Sequence, residues 1–415
     1  MRTFFLGSIL LIATMVQAQR ACLTSDYIAR QLAEDASFKY QLAEVEKFIQ
    51  SSSGNTNIIM SSTSAGAEMT IKIPVVIHVL YNTQDQNITD AQIKSGLEAL
   101  NRDFRRNNAD TTNTPARFKN IAADVQIEFV LATADPKGRF TTGVIRKQTS
   151  ITDFKMDDKI KFSSQGGSDA WDSKSYLNIW IGNMRNLLGY SSSPGSAPEK
   201  DGVVITTKAF GTINAPAPYH LGRTAVHEVG HWLGLRHIWG ETYCGDDLVD
   251  DTPIQGGYTT GCPTGFKTSC SNGDMGDMYM NYMDFTDDAC MNLFTVGQKN
   301  RMRSLFNDGG PRFSLLLSKG LNEPWLSESP LPEISPVNPV IQIFPNPAVN
   351  ELTLVLSNAW LGKEISIQSI NGILIQKVKI TSLTTKINIA LFTPGLYMIT
   401  GDALGEKIHS KFIKL

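Results

Sequence analysis

The sequence predicts two folded units, a larger α/β (α+β) domain with a twisted mixed sheet and a small all-β sandwich after it. Three patterns support this prediction. The apolar stretch from Ile71 to Leu80 is typical of a buried strand, and a helix with the capping box Thr89-x-x-Gln92 follows it. A second helix is predicted over 224–235. After a Pro-rich stretch, short segments of alternating hydrophobicity separated by turn residues favour a sandwich.

The composition is that of an ordinary globular chain. Its 415 residues carry a formal net charge of −2, from 38 Lys and Arg against 40 Asp and Glu. This length has room for two or three domains, and a near-neutral chain has no overall field that attracts nucleic acid. No nucleic-acid partner is therefore expected, and the protein is expected to be a monomer.

The first residues predict export. An apolar run over 4–16 follows a basic start, and Val16 and Ala18 are small residues at the positions that a signal peptidase recognises. The run is too short to span a bilayer, and no stretch of transmembrane length follows it. Residues 1–18 are therefore predicted to be a signal peptide, with a buried helix as the alternative. Disulfides are permitted in an exported protein.

Changes in composition divide the rest of the chain. Residues 19–64 are predicted to be a helical leader that ends in a Ser-rich tether, and the larger domain is predicted over 65–318. A Pro-rich linker over 319–339 and the sandwich over 340–415 complete the chain. Further strands of the larger domain are predicted at 125–132, 176–181 and 203–206, and its last helix at 298–306.

The second predicted helix carries the residues with the most specific chemistry. His227 and His231 lie one turn apart on the same face, so both imidazoles can reach one metal ion. Gly234 can end the helix and turn the chain, which makes His237 a third nitrogen ligand. Three histidines leave one position open for water, whose pKa zinc lowers, and Glu228 is placed to take its proton. The pattern predicts a catalytic zinc site. The other histidines are expected to be structural or exposed: His78, His220 and His409.

The run from His227 to Gly240, with the sequence NYMD from Asn281 to Asp284, resembles the metzincin zinc peptidases and, within them, the compact bacterial members of the pappalysin family. The likeness covers roughly residues 71–306. It implies a metzincin catalytic domain that hydrolyses protein or peptide substrates. In the family, the methionine at the position of Met283 forms an apolar base beneath the three histidines, whereas by composition alone Met283 is a core residue.

One position departs from the family pattern. The family usually has a tyrosine two residues after that methionine, whose hydroxyl contacts the metal or stabilises the oxyanion, and this chain has Phe285. Losing one oxyanion donor commonly lowers the rate by about 10²–10³-fold. The resemblance therefore implies either a slower enzyme or another donor.

Four of the five cysteines lie between residues 241 and 290. Sequence alone allows three pairings of Cys244, Cys262, Cys270 and Cys290. The resemblance implies the bridges Cys244–Cys270 and Cys262–Cys290. A zinc ribbon is the competing interpretation, and it is disfavoured because none of the four stands in a CxxC pair and the compartment is oxidising.

The same segment is strongly acidic, with ten Asp and Glu against the single Lys267. Its acidic turn offers hard oxygen ligands on a turning backbone, as calcium requires, and the resemblance implies calcium as well. The alternative is a solvated acidic loop. The candidate calcium ligands are Asp246, Asp247, Asp250, Asp251 and Thr252.

The family tends to cleave before arginine or lysine and uses an aspartate in the pocket for the residue after the scissile bond. Asp287 and Asp288, just past Met283, are the candidates for that aspartate. The alternative interpretation is that both are exposed caps.

Cys22 resembles the cysteine switch with which the family's pro-segment blocks the metal. A thiolate is a strong zinc ligand, so Cys22 would displace the catalytic water in the latent form. A free thiol or a lipid anchor is the alternative, and lipidation is disfavoured because the apolar run ends before Ala18. Relatives release this segment at a basic residue, but no Lys or Arg lies between Lys47 and Lys72. Cleavage at Lys47, or by another protease, is therefore predicted.

Short motifs in the C-terminal unit resemble the sorting domain of the type IX secretion system, which is found in one group of Gram-negative bacteria. They are FPNPA at 344–348, ING at 370–372 and LFTPGLY at 391–397. The resemblance implies export through the periplasm to the medium or the outer-membrane surface. By residue pattern alone, the unit is a β module that binds carbohydrate or protein.

These features together predict a secreted zinc endopeptidase that is made as a latent zymogen. The rival hypothesis is a catalytically weak or silent, zinc-containing surface adhesin. Glu228 separates the two, because a structural zinc site has no need of a general base.

Overall fold

The computed structural model describes residues 22–52, 69–324, 326, 342–356, 358–403 and 406–415. The predicted signal peptide, the Ser-rich tether and most of the Pro-rich linker lie outside these residues. The chain divides into two compact units, Met1–Leu326 and Ser327–Leu415.

The larger unit combines a mixed sheet with helices, as predicted. Its helices are α1 (Thr24–Glu34), α2 (Phe38–Ser52), α3 (Asp90–Phe104), α4 (Ala116–Lys119), α5 (Arg223–Trp232) and α6 (Val296–Ser304). Its strands are β1 (Ile71–Tyr81), β2 (Ile127–Leu131), β3 (Val144–Gln148), β4 (Leu177–Gly182), β5 (Gly189–Ser191) and β6 (Val203–Thr206). None of the described helices has the length and apolar character needed to cross a membrane.

The sheet has the strand order β2-β1-β4-β6-β5, and β3 continues beside β1 beyond the end of β2. All neighbours are parallel except β5, which runs antiparallel to β6 at the edge. The central strand β1 is buried at almost every position, because the parallel part of a sheet is covered on both faces. The sequence did not predict β3 or β5. Strand β5 has only three residues and no hydrophobic alternation to reveal it.

Helix α3 shows how local sequence fixes an element. The Thr89 hydroxyl accepts a hydrogen bond from the Gln92 amide at 3.1 Å, which satisfies one of the free N–H groups at the start of the helix. An apolar stripe on this helix faces the core, and all four of its members are buried: Ile93, Leu97, Leu100 and Phe104.

The larger unit continues beyond residue 318, where the linker was predicted to begin. The Gly320 carbonyl accepts hydrogen bonds from the amides of Thr133 and Ala134, at 2.8 and 3.1 Å. The Leu326 amide donates to the Gly138 carbonyl at 3.0 Å. These backbone bonds hold the segment against the domain although its composition is that of a linker.

His78 is a structural residue of β1, and it predicts a pH-dependent stability. Its ring is buried between the Ser168 hydroxyl, 2.9 Å from Nδ1, and the Asn178 side-chain oxygen, 3.1 Å from Nε2. Burial lowers the pKa of His78 to about 4. In the unfolded chain, the imidazole of His78 binds a proton near pH 6.5. The unfolded state is therefore favoured as the pH falls from 6.5 towards 4. We expect the free energy of unfolding to fall by up to ~3 kcal/mol over this range.

Urea unfolding at a series of pH values measures this effect. Between pH 6.5 and 4, the change in the free energy of unfolding should be smaller in His78→Gln than in His409→Gln, at an exposed position, by up to ~3 kcal/mol. Other buried groups, such as His231, contribute to the slope equally in both variants. An unchanged slope in His78→Gln would show that other groups cause it.

The smaller unit is built from antiparallel strands, as predicted. The strands are β7 (Gln342–Phe344), β8 (Glu351–Val355), β9 (Glu364–Ser369), β10 (Leu374–Lys379), β11 (Thr384–Asn388), β12 (Gly395–Ala403) and β13 (Glu406–Lys414). They form a sheet in the order β10-β9-β12-β13 and a second in the order β11-β8-β7 around a common core that includes Trp360 and Phe412. In the last strand, β13, Ile408 and Phe412 point inward.

Candidate metal centre

Helix α5 is held firmly at its start. Gly222 precedes it with φ of 78°, and the Arg223 side chain forms ion pairs with Asp103 and Asp110 at 3.2 and 2.7 Å. The Asp288 carboxylate accepts the amides of Leu221 and Arg223 at 2.9 and 3.2 Å. Every residue of the helix is buried. His227 and His231 therefore project from a rigid element.

The end of α5 brings the third histidine round, as the sequence predicted. Gly234 has φ of 81°, a conformation that residues with a side chain rarely adopt. Its amide donates to the His231 carbonyl at 2.9 Å, and the Leu235 amide donates to the Gly230 carbonyl at 3.0 Å. These bonds close the last turn and reverse the chain, so that His237 faces the helix.

The three imidazoles converge through their Nε2 atoms. The Nε2 atom of His231 lies 3.1 Å from that of His227 and 3.1 Å from that of His237. Each Nδ1 atom faces an acceptor. Nδ1 of His227 lies 2.7 Å from the Tyr282 carbonyl, and Nδ1 of His231 lies 2.9 Å from the Leu235 carbonyl. Nδ1 of His237 lies 2.5 Å from the Glu241 carboxylate.

This arrangement fits a metal ion. A carbonyl or carboxylate oxygen only accepts hydrogen bonds, so each Nδ1 carries the hydrogen and each Nε2 of a neutral ring presents a lone pair. Burial and the neighbouring His237 lower the pKa of His231 to about 3, which keeps its ring neutral. Lone pairs that face one another at 3.1 Å do not bond to each other, whereas a shared cation satisfies all three. Imidazole nitrogens in this number suit zinc.

Cys22 completes the cluster from the leader. Its Sγ lies 3.5 Å from His231 Nε2 and 3.6 Å from Glu228 Oε2. The four ligand atoms of Cys22, His227, His231 and His237 all lie within 4.8 Å of one another. Burial and the Glu228 charge raise the pKa of the Cys22 thiol, so a bound cation is what would favour its thiolate. Over the described part of the chain, no other group of three or more His, Cys, Asp or Glu side chains is placed to hold a metal ion.

The leader reaches the cluster along the edge strand β5. Cys22 forms a parallel bridge with Gly189, and the Leu23 amide donates to the Gly189 carbonyl at 3.3 Å. The Thr24 hydroxyl accepts from the Ser191 amide at 3.0 Å and donates to Glu228 Oε2 at 2.9 Å. The first leader residues thus lie along the backbone of the edge strand β5.

Met283 lies against helix α5 and directly follows Tyr282, whose carbonyl faces His227. A side chain at Gly230 would place its Cβ 2.6 Å from the Met283 sulfur, so only glycine leaves room for this contact. The Met283 amide donates to the Asn281 side chain at 2.9 Å, and Asn281 exchanges two side-chain hydrogen bonds with Gln298 of the α6 capping box. The helix and the turn that carries Met283 therefore hold each other in place.

Phe285 lies in an aromatic wall beside the cluster. Its ring centroid is 4.8 Å from that of His237 and 5.7 Å from that of His227. Trp239 stacks on His237 at 4.3 Å. The ring of Tyr258 lies 5.3 Å from that of Phe285, so a tyrosine is present next to the position where the family usually has one.

The acidic segment is held by the disulfides Cys244–Cys270 and Cys262–Cys290, the pairing that the resemblance implied. Its candidate calcium ligands do not come together as one set. The Asp251 carboxylate accepts the Thr295 hydroxyl at 2.6 Å and the Gly297 amide at 2.8 Å, which holds the start of α6. Asp247 accepts the Thr252 hydroxyl at 2.7 Å, whereas Asp246 and Asp250 are exposed.

The two candidate pocket aspartates differ in their surroundings. Asp288 is fully buried, and its carboxylate is occupied at the start of α5, so it is not an exposed cap. Asp287 is partly exposed. Burial therefore separates two residues that the sequence could not distinguish.

Sequence reasoning missed two polar groups around the cluster. Glu241 holds Nδ1 of His237, and Thr24 holds the Glu228 carboxylate. The spacing of four residues between His237 and Glu241 was a signal for the first. The contact of Thr24 depends on where the leader folds back, and local sequence does not contain that information.

Comparisons with known proteins agree with this geometry. The family described as pregnancy-associated plasma protein-A matches residues 161–307, and a secretion system C-terminal sorting domain matches residues 342–415. An extracellular metalloprotease of Arthroderma benhamiae is 32% identical over 253 residues, which are 59% of this chain and 81% of that protein.

Solved structures from Tannerella forsythia are also similar. Mature mirolysin in complex with a cleaved peptide is 53% identical, with a TM-score of 0.59, over 60% of this chain and 97% of that one. The promirolysin mutant E225A is 47% identical, with a TM-score of 0.64, over 72% of this chain and 96% of that one. The chain therefore belongs to the pappalysin family of metallopeptidases and is a metalloendopeptidase with a type IX secretion sorting domain.

Proposed function

We propose that the protein is a secreted zinc endopeptidase made as a latent zymogen. His227, His231 and His237 would bind the zinc, Glu228 would act as general base, and Cys22 would be the fourth ligand in the latent form. The convergence of three Nε2 atoms and one Sγ beside the Glu228 carboxylate carries this proposal. A purely structural zinc site would not need that carboxylate, which speaks against a silent adhesin.

The residues of the chain suggest how hydrolysis would proceed. When bound, zinc would lower the pKa of a water molecule and polarise the scissile carbonyl. Glu228, freed from Cys22 and Thr24 when the leader leaves, would accept the proton of the attacking water at Oε2 and pass it to the leaving amine. Gly189 and Ser191 offer backbone groups that the leader uses, and an extended substrate would pair with the same edge.

Hydrolysis of an Arg-containing peptide by the mature form tests the proposal, with Glu228→Ala as the control. Activity should disappear on treatment with a zinc chelator and return when zinc is added. Activity that survives complete removal of the metal would contradict the zinc mechanism.

Cleavage before arginine or lysine is proposed to depend on Asp287. The variant Asp287→Asn should lower the preference for a basic residue after the cut by about tenfold, since a charge-assisted contact is lost. Cleavage of a peptide library measures this preference. Asp288→Asn is the matched control: it should lower thermal stability without a selective change in preference. No enrichment of basic residues in the wild-type profile would contradict the proposal.

Calcium is proposed to bind at Asp247. The Asp247 Oδ2 atom is buried and has no hydrogen-bond partner among the described residues, although Oδ1 accepts two. A calcium-selective chelator should lower the melting temperature by about 2–4 °C for each kcal/mol of binding lost. In Asp247→Asn the chelator should have little effect. An unchanged melting temperature in the unaltered protein would support a solvated acidic loop instead.

The parts of the chain outside the catalytic domain would serve export and latency. We propose residues 1–18 as a signal peptide, 19–64 as the pro-segment, 65–318 as the catalytic domain, which residues 319–326 continue, the rest of 319–339 as the linker and 340–415 as the sorting domain. The route would run through the periplasm of a Gram-negative bacterium to the medium or the outer-membrane surface. Lys47, the predicted release point, lies within helix α2, so cleavage there would require that helix to open locally.

A further inference from the structure

We propose that removal of the leader uncovers a second recognition site beside the metal centre, where Arg301 and Arg236 bind an acidic side chain of a peptide substrate. This rests on the proposed function, in which the leader leaves the mature enzyme. The residue that shows what the site accepts is Glu46, on leader helix α2.

Glu46 occupies the site as a ligand would. Its two carboxylate oxygens lie 2.8 and 2.5 Å from the two terminal nitrogens of Arg301. A terminal nitrogen of Arg236 lies 3.7 Å from the same carboxylate. Two parallel hydrogen bonds between a guanidinium and a carboxylate form one of the strongest polar contacts in proteins.

Arg301 belongs to the catalytic part of the chain and is held there without the leader. It lies on α6 and is 5% exposed. Its Nε donates to the Gly234 carbonyl at 2.8 Å, and the Gly234 amide is bonded in turn to the carbonyl of His231. The guanidinium should therefore stay in place when Glu46 leaves, one backbone turn from the metal centre.

Among the described residues, Glu46 is the carboxylate that forms ion pairs with Arg301 and Arg236. Asp247 interacts electrostatically with Arg301, but no ion pair joins these two described residues, and Asp247 Oδ1 accepts the Thr252 hydroxyl and the Val249 amide. Glu241, which shares the nearby cavity, holds His237. A buried cation that loses its partner attracts another anion.

A cavity connects this arginine pair with the metal centre. It has a volume of about 260 Å³, and its catalytic wall includes His231, Gly234, Arg236 and Arg301. Its other wall is formed by the leader, including Thr24 and Glu46. When the leader leaves, the cavity becomes a groove that runs from the histidines to the arginines. A peptide bound at the metal centre would extend along it, so the anion is a side chain of the substrate rather than a free ion.

The test uses pairs of peptides that differ only by Glu or Gln at one position. Each pair places this residue at a different position, on either side of the scissile bond. For the mature enzyme, kcat/KM should favour Glu by about tenfold at one position. This ratio should fall towards one in Arg236→Gln and in Arg301→Gln, and it should stay in Lys208→Gln, which removes an exposed cation elsewhere. Because both peptides meet the same preparation, any misfolded fraction cancels from the ratio.

A ratio near one at every position in the unaltered enzyme would overturn the proposal, as would a ratio that survives in both arginine variants. Binding of the same peptides to mature Glu228→Ala, followed by fluorescence anisotropy, gives a readout that does not depend on hydrolysis. Failure to hydrolyse any peptide would contradict the proposed function. Equal affinity for the Glu and Gln peptides would contradict the acid site alone.

Discussion

Replacing Glu228 by Gln should lower kcat/KM for peptide hydrolysis by about 10²–10⁴-fold while the zinc content stays the same. Glutamine keeps the size of the side chain but cannot accept a proton from water. The histidines do not depend on Glu228 for their orientation, because each Nδ1 is held by another group. Steady-state kinetics and metal analysis of one preparation measure both quantities.

Glu199→Gln is the matched control, since Glu199 is exposed and remote from the histidine cluster in sequence. It should keep full activity. A Glu228→Gln enzyme that retains more than a tenth of the wild-type rate would mean that another group takes the proton. Loss of zinc together with activity would mean that Glu228 holds the site together instead.

The second large effect is expected in the precursor. Cys22→Ser should raise the activity of the uncleaved chain by about tenfold or more, because loss of ~1.4 kcal/mol of leader binding changes the open fraction tenfold. The effect should be partial, because other leader contacts remain. Tyr27, for example, is fully buried and donates a hydrogen bond to Asp158 at 2.8 Å.

Gel electrophoresis must show that the precursor is intact during this assay. The double variant Cys22→Ser/Glu228→Ala should be inactive, which assigns the new activity to this site. Ser51→Ala, at an exposed leader position, is the control for the leader itself. Latency of Cys22→Ser equal to that of the wild type would rule out the switch.

Local sequence was sufficient to predict those parts of the site whose positions depend only on neighbouring residues. The spacing of His227 and His231 fixes their common face, and Gly234 fixes the turn that returns His237. The helix α3 and its cap followed from the pattern of a few neighbouring residues. In these places the side-chain period and the turn chemistry act within one or two turns of backbone.

Other features depend on contacts between distant residues, which no local pattern contains. Asp251 and Asp288 are acidic residues in a loop by sequence, yet each holds the start of a remote helix, α6 and α5 respectively. Strand β5 is an edge of three residues that exists because β6 lies beside it. The pairing of the four cysteines came from the family resemblance and not from their spacing.

The position of the leader along β5 makes latency a matter of effective concentration. While the leader is part of the chain, its backbone competes for the edge strand as an intramolecular ligand, which substrates at ordinary concentrations cannot displace. A single cut changes no contact with Gly189 or Ser191, but it turns the leader into a separate molecule. Activation should then follow dilution as well as cleavage: enzyme cut at high protein concentration remains inhibited until the fragment diffuses away.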